Sequence, residues 1–157
     1  MVVKQLTLRA LALIAFTVLV AVLAPLAVAD SVYHSEHLAL TPVGAAPLRS
    51  GFVENIKAQG PQVYAHEIVV LNGAVADSTY TATRRFFFLD PECDGAHVFS
   101  SDIATLVTNA GGDARGDIFV APEEAEGLAG VHGVMWTVEN SAGAVVYRTT
   151  CTAVTLD

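Results

Sequence analysis

The stretch Val69–Leu89, VVLNGAVADSTYTATRRFFFL, constrains the fold more than any other. Val69, Val70 and Leu71 close one apolar run. Asn72-Gly73 interrupts it, because glycine accepts positive φ and asparagine tolerates the left-handed region. A second run opens near Thr79 and ends in Phe86-Phe87-Phe88-Leu89. On a strand, Phe86 and Phe88 point to one face and Phe87 and Leu89 to the other. A strand apolar on both faces needs cover on both. The segment therefore predicts strand, tight corner and strand, with the phenylalanine strand in the middle of the fold.

The flanking sequence keeps the same period. Val32–Leu40 reads as a first strand, followed by a loop with Pro42, Gly44 and Pro47. Phe52–Ala58 alternates, Gly60-Pro61 turns the chain, and Val63–Leu71 is rich in β-branched and aromatic residues. Val98–Thr108 puts Phe99, Ile103 and Val107 on one face, and Asn109–Asp113 is a turn. Ile118–Ala121 is a short strand. Pro122–Leu128 suits one helical turn, with proline at its start and glutamates near its positive end. Val131–Glu139 alternates with Val134, Trp136 and Val138 inward, Asn140–Gly143 is a hairpin turn, and Val145–Leu156 is the last strand. About eight short strands without a helical period predict an all-β antiparallel β-sandwich.

Residues 1–29 stand apart from this pattern. Lys4 and Arg9 precede the uncharged apolar run Leu11–Ala24, and Ala27-Val28-Ala29 is a small-x-small cleavage site, the composition of a secretory signal peptide. The expected exported domain is 30–157, one domain of 128 residues, secreted and free of the membrane after cleavage. Its Ala-rich, Lys-poor composition leans towards a bacterial source. It carries 6 basic and 16 acidic residues. Such a surface repels phosphate backbones, so nucleic acid is not an expected partner. Cys93 and Cys151 both lie in the exported part, where an oxidising compartment predicts one disulfide between them.

The corner carries a resemblance. Leu71-Asn72-Gly73-Ala74, with Tyr80 nine positions after Leu71, resembles the tyrosine corner of fibronectin type III and related immunoglobulin-like domains. The resemblance implies an immunoglobulin-like sandwich, with Leu71, Ala74 and Tyr80 at the matching positions and the tyrosine hydroxyl bonded to nearby backbone. Gly133-Val134-Met135-Trp136 through Tyr147–Cys151 is similar to secreted bacterial β-sandwich proteins. Neither resemblance carries an activity.

Several residues invite a functional reading. Asp90, Glu92 and Asp94 alternate and precede Gly95, like the opening of an EF-hand loop, which makes Ca²⁺ a candidate ion. Position 12 of such a loop would be Ser101 rather than glutamate, and a solvated inter-strand loop is the plainer account. His34 and His37 are three apart, which on a strand puts them on opposite faces. His97 and His132 with a carboxylate of the acidic loop would form a cross-strand metal site. Arg115-Gly116-Asp117 is an adhesive tripeptide next to a turn, and Trp136, Tyr64, Tyr80 and Tyr147 would stack on sugars unless they are core. There is no GxSxG and no SxxK. The expectation is a non-enzymatic binding or structural module without a required cofactor, its partner an extracellular protein or glycan. The alternative is a metal-dependent extracellular enzyme or metal-binding protein built on His97, His132 and the Asp90–Asp94 loop.

Overall fold

The computed structural model describes residues 34–57, 65–125 and 127–156. The leader, Val32, Tyr64 and the Gly60-Pro61 turn lie outside them. Among the described residues the strands are β1 His34–Ala39, β2 Thr41–Pro42, β3 Ser50–Lys57, β4 Ala65–Asn72, β5 Thr79–Phe87, β6 Phe99–Val107, β7 Ala114–Val120, β8 Gly130–Asn140, β9 Val145–Arg148 and β10 Thr152–Leu156. A single 3₁₀ turn, Pro122–Ala125, follows β7.

The strands form two antiparallel sheets. One has the order β1-β3-β4-β7; the other runs β2-β9-β8-β5-β6, with β10 also paired to β8. Side chains from both inner faces make one core, with Val53, Val69 and Leu71 from the first sheet meeting Ala82, Trp136, Val138 and Tyr147 from the second. The chain is an all-β protein of two stacked antiparallel sheets.

β5 is the central strand expected from the phenylalanine run, hydrogen-bonded to β6 on one side and β8 on the other. Phe86 is 5 % and Phe87 6 % exposed, so both faces are covered at the strand's end. The expectation overreaches by two residues: Phe88 and Leu89 are 46 % and 59 % exposed. The strand stops because Leu89 turns to φ 51°, which ends the extended backbone.

Three further readings are corrected. The last strand is two, because Thr149 breaks the ladder: its N–H donates to Trp136 O at 3.0 Å, while its hydroxyl accepts Trp136 N–H at 3.1 Å. The strand at Ile118–Ala121 begins at Ala114 and takes in the whole Arg115-Gly116-Asp117 tripeptide. In β6, the register against β5 shifts between Ala82 and Thr83. One extra residue flips the side-chain faces beyond it. Phe99 and Ile103 therefore do not share a face with Val107, which is 67 % exposed while Leu106 is fully buried.

Residues 73–78 carry the chain from β4 in one sheet to β5 in the other. Leu71, Ala74 and Tyr80 are all buried in the core there. Gly112, at φ 78°, lies against the backbone of Ala74, whose N–H donates to Gly112 O at 3.0 Å. A Cβ at position 112 would strike Ala74 backbone atoms, so only glycine fits. The tyrosine hydroxyl that visibly anchors backbone belongs to Tyr147, donating to Pro47 O at 2.7 Å. Burial, with the Tyr80 hydroxyl beside it, raises the Tyr147 phenol well above its ordinary pKa.

Candidate functional site

The cysteines pair as predicted: Cys93 and Cys151 form a disulfide with a sequence separation of 58. Closing a loop of that length stabilises the fold by about 4 kcal/mol in the chain-entropy model. The bond rests on bare backbone, since a Cβ at Gly133 would lie 2.8 Å from Cys93 Sγ and 3.2 Å from Cys151 Sγ. It pins the loop after β5 and the start of β10 to the same end of β8.

The acidic loop is organised from within. The Asp90 carboxylate accepts the Gly95 N–H at 2.8 Å and the Asp94 N–H at 3.2 Å. The Gly95 hydrogen bond is the main reason its carboxyl sits below the ordinary value, and further backbone N–H groups of the loop add to it. Glu92 and Asp94 are exposed, and His97 lies edge-on to Phe87 with ring centroids 6.1 Å apart.

His132 is a core residue, fully buried between Phe86 and Phe88. Leu89 N–H donates to its Nδ1 at 3.0 Å, so the proton sits on Nε2, 2.7 Å from Leu128 O. Neither nitrogen is free for a metal. Among the described residues, which include Asp90, Glu92, Asp94, His97 and His132, no group of three or more His, Cys, Asp and Glu side chains is placed to hold an ion. The cross-strand site is not assembled, because His132 faces the core and spends both nitrogens on backbone.

The adhesive tripeptide is not a loop either. Gly116 faces inward, where a Cβ would lie 2.6 Å from Ala104 Cβ, and the Asp117 carboxylate is 2.9 Å from His66 Nε2. Trp136, Tyr80 and Tyr147 are 1 %, 4 % and 0 % exposed, which makes them core rather than sugar platforms.

What the structure does bring together is a set of polar side chains between the sheets. On the first sheet, Glu36, Asn55 and Glu67 lie in one cross-strand row. Asn55 is 3 % and Glu67 2 % exposed. Asn55 Nδ2 donates to Glu36 Oε2 at 3.2 Å. From the second sheet, Arg84 Nη1 reaches across and donates to Glu67 Oε1 at 2.9 Å. Arg84 lies opposite Trp136 in the β5–β8 register.

Beside this ion pair is a cavity of about 50 Å³. Glu67, Arg84 and Trp136 line it together with hydrocarbon from Phe86, Val134 and Val154, and Phe99, Glu124 and Leu128 stand where it opens. Two side-chain atoms of these residues, Glu67 Oε2 and Trp136 Nε1, are fully buried and have no hydrogen-bond partner among the described residues. A wider depression of about 410 Å³ lies at the opposite end of β5 and β8, lined by Pro47, Asp77, Tyr80 and Tyr147. No atom on its walls is a buried donor or acceptor left without a partner.

These residues escaped the sequence reading, although their signal is there. Glu67 has the same parity as Val69 and Leu71, and Arg84 the same parity as Tyr80, Ala82 and Phe86. Opposite charges at two inward positions mark a buried pair.

Fold and site together define a two-sheet antiparallel β protein with a small, mostly apolar cavity and a buried ion pair between its layers. No protein-family model matches the chain, and no curated protein matches it significantly.

Proposed function

We propose that the chain is an exported, non-enzymatic binding module of the immunoglobulin-like type, with the inter-sheet cavity as its ligand site. The leader sequence and the disulfide support export. The strand order supports the immunoglobulin-like reading, although it puts Leu71, Ala74 and Tyr80 at the B–C crossing and not at the E–F corner of a tyrosine corner. Taking β3 to β9 as seven successive strands, the first, second and fifth share one sheet, as A, B and E do. The other sheet then reads fourth, third, sixth, seventh, the order C′-C-F-G.

The observation that supports binding is the small cavity between the sheets, lined mostly by hydrocarbon beside the buried Glu67–Arg84 ion pair and Trp136. The ligand is a small molecule, or a single group presented by an extracellular protein or glycan.

Trp136 is the sole tryptophan, so its fluorescence reports this site alone. A fragment library screened against the oxidised protein and against Ala65→Leu, whose longer side chain fills the cavity, tests the reading. At least one fragment should change the Trp136 emission and raise the melting midpoint of the parent protein. At about a hundred times Kd the gain is roughly 2.7 kcal/mol, or several degrees. None should act on Ala65→Leu. A parent protein that answers no fragment would defeat the proposal.

A further inference from the structure

We infer that His132 works as an acid-sensitive latch, closing one end of the sandwich while it is neutral and releasing the Phe88-Leu89 turn when it is protonated. The ring is fully buried near the start of β8, with its centroid 4.9 Å from that of Phe86 and 5.0 Å from that of Phe88. Its Nδ1 accepts the Leu89 N–H at 3.0 Å, and its Nε2–H donates to Leu128 O at 2.7 Å. That pairing requires the neutral ring, because an imidazolium has two donors and no acceptor. A proton on Nδ1 would point at the Leu89 N–H, donor against donor.

The ring's hydrogen-bond partners among the described residues are those two backbone groups. The titratable groups on the elements around it are Arg84 and Arg85 of β5, Asp90, Glu92, Asp94 and His97 of the loop that follows, Glu123 and Glu124 of the 3₁₀ turn, and Glu139 of β8 itself; β10 carries none. None of them bonds to the ring. Arg84 and Arg85 are spent on Glu67 and Glu139, and the Asp90 carboxylate on backbone of its own loop. The two phenyl faces offset only part of the cost of a buried charge without a counter-ion.

Leu89 is the side that yields. Phe88 and Leu89 are the central residues of a turn closed by the Asp90 N–H on Phe87 O at 3.4 Å. Leu89 takes φ 51° at the third position of that turn, a place that Gly or Asn ordinarily fills. The bond to His132 holds a leucine in this strained conformation. Both side chains of the turn are exposed, so their movement gives up little buried surface. Leu128 O keeps its bond, because Nε2–H donates in both forms of the ring. The acidic loop also stays, with Asp94 and Gly95 N–H groups on the Asp90 carboxylate and Cys93 joined to Cys151. The moving part is the two-residue turn.

The test follows the oxidised protein by NMR from about pH 7.5 to about pH 4.5. The His132 ring protons and the Leu89 amide should titrate with one midpoint. Across it the protection of the Leu89 amide against hydrogen exchange should fall at least about tenfold, the value of one lost hydrogen bond. The Asp94 and Gly95 amides, bonded within their loop, should not follow this step. His132→Gln offers an oxygen to Leu89 and an NH₂ to Leu128 without a titrating ring, so the step should vanish there. His97→Gln removes the other imidazole of this region and should leave the step in place. Leu89 protection that stays constant while the His132 ring titrates overturns the latch, and so does a ring that stays neutral down to about pH 4.5. A step that persists in His132→Gln, or disappears in His97→Gln, overturns it as well. The titration of the parent protein decides the matter by itself where His132→Gln does not fold.

Discussion

The two ends of the sandwich bury similar side chains and treat their polar atoms differently. At the corner end, Thr108 is 3 % exposed and fully engaged. Its hydroxyl donates to Val75 O at 2.7 Å and accepts the Ser78 N–H at 2.9 Å, and its own N–H donates to Ser78 O at 2.9 Å. Gly73 N–H donates to Asp113 Oδ1 at 3.1 Å, which ties the crossing between sheets to the β6–β7 turn. Every one of these groups fastens one backbone segment to another. At the cavity end, Glu67 and Trp136 each keep a buried atom without a partner. Satisfied polar groups hold the corner closed, whereas the other end keeps buried charges and unpartnered atoms in the walls around a small cavity.

The ion pair sharpens this contrast most. If Glu67–Arg84 serves the site rather than stability, breaking it and replacing it should differ. Arg84→Met leaves the Glu67 carboxylate, 2 % exposed, without its partner. The loss should be about 3–5 kcal/mol in urea unfolding. Arg84→Met with Glu67→Leu should recover most of that loss, because two packed apolar side chains match or exceed a buried pair. The double variant should also lose the ligand response of Trp136. A single variant that costs less than about 1 kcal/mol would mean the pair is solvated like a surface one, and the two ends would no longer differ in kind.

The corner makes the matching but smaller prediction. Thr108→Val keeps the shape and removes the hydroxyl, leaving the Ser78 N–H without its acceptor. The expected loss is about 1–3 kcal/mol. The binding response at Trp136, in the middle of β8, should be unchanged. A Thr108→Val protein that is as stable as the parent but binds less would reverse the assignment of roles to the two ends.

Much of the frame was legible because it rests on local chemistry. The double-sided run Phe86–Leu89 placed β5 in the middle although it overran the strand by two residues, Asn72-Gly73 placed the crossing, and the expected export predicted the pairing of Cys93 with Cys151. What was lost depended on partners far along the chain. The β6 bulge flipped the faces of Phe99 and Val107 through its pairing with β5. Thr149 split the last strand through bonds to Trp136. The histidine proposed as a metal ligand turned out to be spent on Leu89 and Leu128, carbonyl and amide groups that no spacing rule includes. The site itself was half legible. The parity of Glu67 and Arg84 exposes two inward charges, but nothing local says that they meet, or that packing leaves the indole of Trp136 without an acceptor.

The smallest effect belongs to the acidic loop after β5. Asp90 is half-buried, and its carboxylate is held below the ordinary value of 3.8, chiefly by the Gly95 N–H. Above that value both folded and unfolded chains carry the charge, and the hydrogen bonds contribute in full. As pH falls below 3.8 the unfolded chain binds its proton first, so the contribution fades and is gone once pH passes the lower folded value. The Gly95 and Asp94 amide resonances should therefore hold their positions at about pH 4 and move together only below it. The Ala74 and Ser78 amides of the corner, whose acceptors are a carbonyl and a hydroxyl, should not follow that step. Asp90→Asn should abolish it. A Gly95 amide that titrates at or above the ordinary carboxylate value would show that the loop does not hold the charge, and the loop's position would then rest on the Cys93–Cys151 bond.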